Sequence, residues 1–213
     1  MMSVPPKRIL VTIEGNIGGG KSTMINHIRE LYPEYKIIDE PVDQWTSMKD
    51  ESGRSLLQLF YEDQTRWSYT FQNCAFITRY LSAFEAMSQP ITQDTVYISE
   101  RGILTDRYVF ATMLRDSGLL NKIEWELYTK WFDHFKNLVK AHGIIYITTD
   151  PNVCKERIHR RGRVGEDGIP QKYLDDLTRY HEKWLENSDV PVLRISSEKE
   201  NCEKIREFIG GLM

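Results

Sequence analysis

A glycine-rich stretch near the N-terminus constrains the fold more than any other part of the sequence. It reads GNIGGGKS over residues 15–22, two glycines that flank four residues and are followed by Lys and Ser. The short β-branched run at 8–14 predicts a buried strand before it, and residues 21–32 predict a helix after it. A strand, a glycine-rich turn and a helix in this order favour a phosphate-binding loop over a merely structural glycine turn.

The chemistry of such a loop comes from its backbone. Glycines let successive N–H groups turn towards one point, and the positive end of the following helix adds to that field. Lys21 can reach the outer phosphates, and Ser22 can offer its hydroxyl to Mg²⁺. We therefore expect the chain to bind a nucleoside triphosphate. The residues expected at the phosphates are Gly15, Asn16, Ile17, Gly18, Gly19, Gly20, Lys21, Ser22 and Thr23.

Composition restricts the class of partner and the compartment. The chain has 213 residues, 40% of them hydrophobic, and a formal charge of -3, which predicts one domain over 1–213 and no nucleic-acid partner. No apolar run is long enough to span a membrane. Residues 1–8 lead almost directly into the first strand, so we expect no signal or transit peptide within the sequence as given. The three cysteines are odd in number and widely spaced, so we expect a cytoplasmic protein with reduced thiols.

Strands and helices alternate along the rest of the chain. Strands are predicted at 35–39, 95–99, 143–148 and 191–195. Helices are predicted at 55–86 with a break near 65–69, at 104–115, at 122–140 and at 170–186. A basic helix that ends at residue 160 is predicted after the strand at 143–148, and a last helix at the C-terminus. This pattern predicts an α/β fold, a five-stranded parallel sheet with helices on both faces. Ligands of such sheets lie beyond the carboxyl ends of the strands. That edge holds the loop at 15–22, Glu40, Glu100, Arg101 and Asp150.

The charged residues at the strand ends indicate which kind of phosphoryl acceptor, an anion or a hydroxyl, the site would favour. Glu40 would repel an anionic acceptor, whereas it could orient and deprotonate a hydroxyl, and Trp45 after it can wall an apolar pocket. Glu100 stands where proteins with a phosphate loop often place an acid near Mg²⁺. Arg101 can neutralise Glu40 or hold the acceptor oxygen. The alternatives are a solvated carboxylate at Glu40 and a surface ion pair between Glu100 and Arg101.

One helix combines a polar face with an apolar stripe. Gln72, Phe76 and Arg79 are spaced by four and three residues and so lie on one side of it. Gln72 can hydrogen-bond a nucleobase edge, although a solvated polar face explains the pattern equally well. The neighbouring stripe, expected in the core, consists of Phe71, Cys74, Ile77, Leu81 and Phe84.

An arginine-rich segment is predicted to form a lid over about 157–170. Arg157, Arg161 and Arg163 would close over phosphates and stabilise charge on a transferring phosphoryl group. Cations are also favoured at a helix C-terminus for purely structural reasons, which is the alternative explanation of the cluster.

The chain resembles the deoxynucleoside kinases, most closely the deoxycytidine/deoxyguanosine kinase branch. The resemblance covers about residues 8–208. The matching segments are IEGNIGGGKST (13–23), EPVDQW (40–45), FYEDQTRWSYTFQ (60–72), ERGILTDRYVF (100–110) and RRGRVGEDGIPQKYL (160–174). It implies a P-loop kinase fold, a homodimer, and transfer of the γ-phosphoryl of ATP, with Mg²⁺, to the 5′-hydroxyl of a deoxynucleoside.

The resemblance also implies a role for each matching site residue. Glu40 would accept the 5′-hydroxyl proton, with Arg101 and Lys21 as its catalytic partners. Ser22 and Glu100 would lie at the metal. Gln72 would hydrogen-bond the base. Trp45, Phe76 and Phe110 would form the pocket walls, with Phe110 stacked on the base. Tyr61 and Glu166 would hold the sugar 3′-hydroxyl. Arg157, Arg161 and Arg163 correspond to the lid arginines.

The expected substrate class depends on Arg79 and Asp106. In the family, Arg and Asp here mark kinases for deoxycytidine and purine deoxynucleosides, whereas thymidine-preferring members have apolar or small residues. A thymidine-accepting or broad-specificity kinase is the alternative. Two departures stand beside the match: Gly102 where the family usually has Ser, and Gly165 where the lid usually has an acid.

Two other function classes remain open at this stage. A nucleoside monophosphate kinase of similar fold would have a phosphate acceptor and would favour arginines over Glu40. A regulatory nucleotide switch would favour a guanine signature, which residues 121–124 (NKIE) only approach. Trp125, Leu127, Trp131 and Phe132 supply apolar surface for a homodimer, although core packing explains them equally well.

Overall fold

A parallel sheet forms the centre of the molecule in the computed structural model, which describes residues 5–166, 168–198 and 201–213. Its strand order is β2-β3-β1-β4-β5, with β1 in the middle paired to β3 and β4. The predicted five-stranded parallel sheet is therefore confirmed. The strands are β1 Arg8–Gly15, β2 Lys36–Ile38, β3 Thr95–Glu100, β4 Gly143–Ile147 and β5 Val192–Ile195.

Helices connect successive strands, as parallel pairing requires. Local capping begins several of them: Ser55 and Asn121 form capping boxes, and Asp150 accepts from the backbone N–H of Asn152 at 2.7 Å. None of the described helices is both long and apolar enough to cross a bilayer. The helices are α1 Lys21–Leu31, α2 Val42–Ser47, α3 Leu56–Glu62, α4 Gln64–Ser88, α5 Ile103–Thr105, α6 Thr112–Asp116, α7 Lys122–Phe135, α8 Pro151–Arg161, α9 Gln171–Leu185 and α10 Cys202–Gly210.

Alternate residues of the strands build a separate core on each face of the sheet. On one face Val11, Ile98 and Ile145 pack with apolar side chains of α1 and α10. On the other, Leu10 and Tyr97 pack with side chains of α3, α4 and α7. Apolar side chains of the strands are therefore covered on both faces, which confirms the prediction of helices on both sides.

The helical region from α2 to α4 differs from the sequence prediction in three ways. The short helix α2 was not predicted. The break falls at Asp63 rather than near 65–69, because the Asp63 carboxylate accepts from the backbone N–H of Arg66 at 3.1 Å and starts α4. Leu81 and Phe84, expected in the core, are 43% and 42% exposed.

Two further helices have irregular or earlier ends. The helix predicted at 122–140 ends at Phe135, because His142 already donates its backbone N–H to Leu10 O at 2.7 Å, at the edge of the sheet. The helix predicted at 104–115 is interrupted by a π-helical segment, Asp106–Ala111, between α5 and α6. π-Helical segments are rare and recur at functional sites, which makes Asp106–Ala111 a candidate part of such a site.

Phe76 was expected to wall a ligand pocket, and the structure places it in the core instead. Its side chain is 0% exposed and packs against Tyr128, Phe132 and Phe135 with ring centroids 5.7 to 6.3 Å away. The spacing shared with Gln72 and Arg79 put all three on one broad side of α4, but the helix buries that side against α7 at Phe76.

We expect Phe76→Ala to lower the free energy of unfolding by about 3–5 kcal/mol, since it removes a fully buried ring and leaves a cavity. Urea denaturation should show a lower midpoint with an unchanged slope. The control is Leu31→Ala on α1, where the side chain is 46% exposed and the loss should be about 0.5 kcal/mol or less. Equal losses in the two variants would contradict the placement of Phe76.

Candidate active site

A cavity of about 630 Å³ lies beyond the carboxyl ends of the strands, where the sequence predicted the ligand site. It is bounded by the glycine-rich loop, the ends of β2 and β3, α4, the π-helical segment and the arginine-rich stretch after α8. Most predicted site residues line it: Ile17, Gly18, Gly19, Gly20, Lys21, Ser22, Thr23, Glu40, Trp45, Tyr61, Gln72, Arg79, Glu100, Arg101, Asp106, Phe110, Arg157, Arg161, Arg163 and Glu166.

The glycine-rich loop needs glycine for steric reasons. Gly18 and Gly20 have φ angles of +72° and +93°, and a Cβ at Gly18 would lie 2.5 Å from Cys154 O. A Cβ at Gly20 would lie 2.7 Å from the Ser197 Cβ. Side chains at these positions would strain the backbone and push α8 or the loop after β5 away. The loop is therefore a tightly packed cradle at the N-terminus of α1.

Four residues that the sequence placed at the ligand or at the strand edge do not line the cavity. Gly15 and Asn16 support the loop from behind: a Cβ at Gly15 would lie 2.8 Å from Ile147 O, and the Asn16 amide donates to Leu174 O at 2.8 Å. Asp150 caps α8, and Phe76 belongs to the core. Asn16 thus ties the loop to α9.

Lys21, Ser22 and Glu100 form a polar group at the phosphate end. The Ser22 hydroxyl donates to Glu100 Oε1 at 2.9 Å, and Lys21 Nζ lies 4.0 Å from the same oxygen. A hydroxyl and a carboxylate are oxygen ligands of the kind that Mg²⁺ prefers, with water and phosphate completing its shell. The residues present therefore fit a Mg²⁺ ion.

Burial changes the acidity of Lys21. The ammonium group is 4% exposed and donates to Asn16 O at 2.9 Å. Burial, reinforced by the positive charge of Arg101, lowers the pKa of Lys21 to about 8. Glu100 and Glu40 act in the opposite direction. An ammonium with this pKa is charged at neutral pH but loses its proton a little above it.

The ends of β2 and β3 hold a chain of ion pairs. Glu40 Oε1 accepts from Arg101 Nη1 and from Arg79 Nη2, both at 2.6 Å. Arg79 also pairs with Asp106 on the π-helical segment. Arg101 Nη2 donates to Gly15 O at 3.1 Å, which connects the network to the glycine-rich loop. Two carboxylates and two guanidinium groups in one cluster largely cancel each other's charge.

Arg101 reaches this position through an unusual backbone conformation. Its φ of +61° is the only positive value at a non-glycine residue in the described ranges. Gly102 follows it, and a Cβ at Gly102 would lie 2.8 Å from Thr12 Cγ2. The departure from Ser at this position therefore matches the presence of Thr12 on the neighbouring strand.

The deep end of the cavity is lined by aromatic rings and one amide. The Gln72 amide donates to Asp106 O at 3.3 Å. The Arg79 guanidinium lies over the Trp45 ring, 4.9 Å from the ring centroid. The Arg101 guanidinium lies over the Phe110 ring, 5.3 Å from its centroid. A compartment lined by both rings and polar groups suits an aromatic heterocycle.

The arginine-rich stretch after α8, where the lid was predicted, packs around an acid. Arg161 and Arg163 both pair with Glu166, the latter at 3.0 Å, and Glu166 is buried. Gly165 has a φ of +91°, and a Cβ there would lie 3.1 Å from the Gln58 Cα, so an acid in its place would be strained. Asp167, which also falls within the predicted lid, lies outside the described residues.

Sequence reasoning missed part of the cavity wall. Ser197 follows β5 and lies within 3.4 Å of Arg157, so the strand-end rule could have found it. Phe60 and Phe71 stack with centroids 4.5 Å apart and line the cavity. Phe71 was predicted only as core and Phe60 was not singled out, since an apolar side chain carries no sign of which cavity it faces. Tyr173 on α9 gave no signal at all.

A glycine-rich loop at a helix N-terminus, an acid after the end of β2 and an arginine-rich stretch around one cavity are the features of a phosphotransferase with a P-loop fold. The sequence model of the family described as "Deoxynucleoside kinase" matches residues 11–210. The chain therefore belongs to the deoxynucleoside kinase family and is an ATP-dependent nucleoside kinase.

Several relatives cover nearly all of the chain. Deoxycytidine kinase 1 of Xenopus laevis is 32% identical over 99% of this chain and 100% of its own length. The mitochondrial deoxyguanosine kinase of Xenopus laevis is 33% identical over 95% of this chain and 90% of its own length. A probable deoxycytidine kinase of Fowlpox virus is 39% identical over 88% and 78%. The predicted resemblance to this branch is confirmed.

We expect the affinity for ADP to fall as the pH rises above about 8, because phosphate binding favours protonated Lys21 and the free enzyme loses that proton. Calorimetric titration from about pH 7 to about pH 9.5 should show a slope approaching tenfold per pH unit. Lys21→Arg keeps its charge over this range and should show a flat profile. A flat profile in the unsubstituted protein would contradict the low pKa of Lys21.

Proposed function

We propose that the enzyme transfers the γ-phosphoryl group of ATP to the 5′-hydroxyl of a deoxynucleoside. The observation that carries this proposal is the position of Glu40. Its carboxylate lies between the glycine-rich loop and the aromatic end of the cavity, with its charge compensated by two arginines. A base in this place suits an uncharged alcohol, which has to be oriented and has to lose a proton.

In the proposed reaction the 5′-oxygen attacks the γ-phosphorus as its proton passes to Glu40. The bond from the γ-phosphorus to the bridging oxygen breaks, and ADP leaves with that electron pair. Lys21 and the lid arginines stabilise charge on the transferring group, while Arg101 holds Glu40 in place. Mg²⁺, held by Ser22 and Glu100, would neutralise charge on the phosphates. Positioning and electrostatic stabilisation account for the catalysis.

The nucleoside is proposed to bind with its base at Gln72, Arg79 and Asp106. Tyr61 and Glu166 line the side of the cavity assigned to the sugar 3′-hydroxyl. An ion pair offers fixed donors and acceptors to a polar base edge and leaves little room for the methyl group of thymine. We therefore propose deoxycytidine and purine deoxynucleosides as the substrates, in line with the names of the relatives.

The charges of the cavity argue against a monophosphate acceptor. Arg79 and Arg101 are already paired with Glu40, and Arg79 also with Asp106. A phosphate entering beside Glu40 would meet a carboxylate whose two neighbouring arginines are already paired, and like charges repel. A hydroxyl meets no such barrier.

We expect Glu40→Gln to lower kcat about 10²- to 10⁴-fold, since the variant cannot accept the hydroxyl proton. Nucleoside affinity should stay largely unchanged because the shape and the arginine contacts are kept. The matched control is Asp39→Asn, the neighbouring carboxylate, whose side chain is 69% exposed and pairs with Arg29. Its turnover should be normal. Normal turnover in Glu40→Gln would refute the assignment.

The same assay tests the substrate class. Labelled ATP is incubated with deoxycytidine, deoxyadenosine, deoxyguanosine, thymidine and a deoxynucleoside monophosphate. The proposal requires phosphorylation of one or more of the first three, little of thymidine and none of the monophosphate. Phosphorylation of thymidine at an equal rate would replace the proposed preference with a broad specificity, and a preference for the monophosphate would overturn the proposed acceptor.

We also propose that the enzyme is a homodimer, formed through one face of α4 and α7. Leu81, Phe84, Leu127 and Trp131 are between 42% and 46% exposed, and Ile123 is 76% exposed. Of the residues predicted for such a contact, Phe132 is buried in the core instead. Exposed apolar side chains on neighbouring helices are typical of a subunit interface.

Light scattering after size exclusion should therefore give twice the chain mass of 25.1 kDa. Trp131→Glu should shift the protein to the monomer, because a charge would be buried at the contact. Lys130→Glu, a substitution on the adjacent exposed residue, serves as the control and should leave the dimer intact. A monomeric unsubstituted protein would contradict the proposal.

The cytoplasmic location stays a prediction, since one relative is named as mitochondrial.

A further inference from the structure

Arg79 connects the part of the cavity proposed to read the base with the proposed catalytic base. Its Nη2 donates to Glu40 Oε1 at 2.6 Å, and its Nη1 pairs with Asp106. The side chain is 7% exposed and lies over the Trp45 ring. One guanidinium therefore bridges two carboxylates that have different tasks.

The bridge leaves two buried polar atoms without a hydrogen-bond partner among the described residues. They are Arg79 Nε, a donor, and Asp106 Oδ2, an acceptor. Unpaired buried groups are costly, so an arrangement that satisfies them is favoured. A nucleobase edge carries donors and acceptors side by side and can supply such partners.

The bridge also weakens Glu40 as a base. Arg101 and Arg79 both donate to the same oxygen, Oε1. Burial by itself would raise the pKa of Glu40, but Arg101, Arg79 and Lys21 together outweigh burial and hold that pKa well below its ordinary value. Loss of one of the two guanidinium contacts would make the carboxylate more basic.

We propose that Arg79 keeps Glu40 inactive as a base until a nucleobase draws the guanidinium away towards Asp106. The proposal rests on the proposed function and adds a link between recognition of the base and activation of the hydroxyl. A correct base engages Arg79 and Asp106, the contact with Glu40 is given up, and Glu40 becomes free to accept the 5′-hydroxyl proton. Arg101 remains to hold it.

The bridge would also protect ATP from hydrolysis when no nucleoside is bound. In that side reaction a water oxygen bonds to the γ-phosphorus, its proton passes to Glu40, and ADP leaves with the electron pair of the broken bond. Glu40 held by two arginines accepts this proton poorly. Release by the nucleobase ensures that the base becomes active only when the alcohol is present to compete with water.

The test measures ADP release from ATP-Mg in the absence of any nucleoside. Arg79→Gln removes the bridge and should raise this hydrolysis about tenfold, since one unit of pKa corresponds to a factor of ten in proton affinity. Asp39→Asn is the control: this exposed carboxylate stands next to Glu40 in the chain but pairs with Arg29 and takes no part in the bridge. Its hydrolysis should stay at the level of the unsubstituted enzyme.

A double variant guards against misfolding, because Arg79→Gln alone leaves Asp106 buried without its partner. Arg79→Gln/Asp106→Asn removes both charges and should hydrolyse ATP at the raised rate. Adding Glu40→Gln to Arg79→Gln should return hydrolysis to the level of the unsubstituted enzyme.

Unchanged hydrolysis in both Arg79 variants, or an equal rise in Asp39→Asn, would overturn the proposal. So would a raised rate that persists without Glu40. The assay contains no nucleoside, so its failure is separate from a failure of the proposed kinase reaction, which the Glu40→Gln turnover measurement tests.

Discussion

The ion-pair chain from Arg101 through Glu40 and Arg79 to Asp106 is the interaction on which the site depends. Arg79, Arg101 and Asp106 are buried and the Glu40 side chain is only 11% exposed, so each charge requires a compensating partner. Removal of any one would leave an uncompensated charge in the cluster. The four side chains come from the end of β2, the end of β3, α4 and the π-helical segment. The network therefore holds four elements in register around the cavity, and it places the proposed catalytic base and the proposed base-reading pair within reach of one another.

Backbone irregularity is concentrated where this network forms. Arg101 has a positive φ, a conformation that costs of order 1–3 kcal/mol for a residue with a side chain. The π-helical segment, which carries Asp106 and Phe110, adds a local departure from α-helix geometry. Regular strands and helices hold both irregular segments from either side. The rigid sheet stabilises a strained turn that aims one arginine at Glu40.

Much of the fold could be predicted because parallel α/β sheets have a simple sequence pattern. The five apolar strands were each recognised from their composition, and the strand-end rule selected Glu40, Glu100 and Arg101 as neighbours. Helix ends were less accurate, because they depend on local capping at Asp63 and on the start of sheet pairing at His142. Phe76 was assigned wrongly for a related reason: helical spacing defines a side of α4, but neighbouring helices decide which part of that side is buried.

The sequence by itself determined the glycine-rich loop, the α/β order and the membership of the family, because these depend on local spacing and on motifs that can be recognised without knowing what they contact. Only the tertiary structure decided that one guanidinium bridges Glu40 and Asp106, that Gly102 accommodates Thr12, and that Asn16 supports the loop from behind instead of facing the ligand. Each of these depends on side chains far apart in the chain. Their distances follow from how the elements pack, and packing is a property of the whole fold.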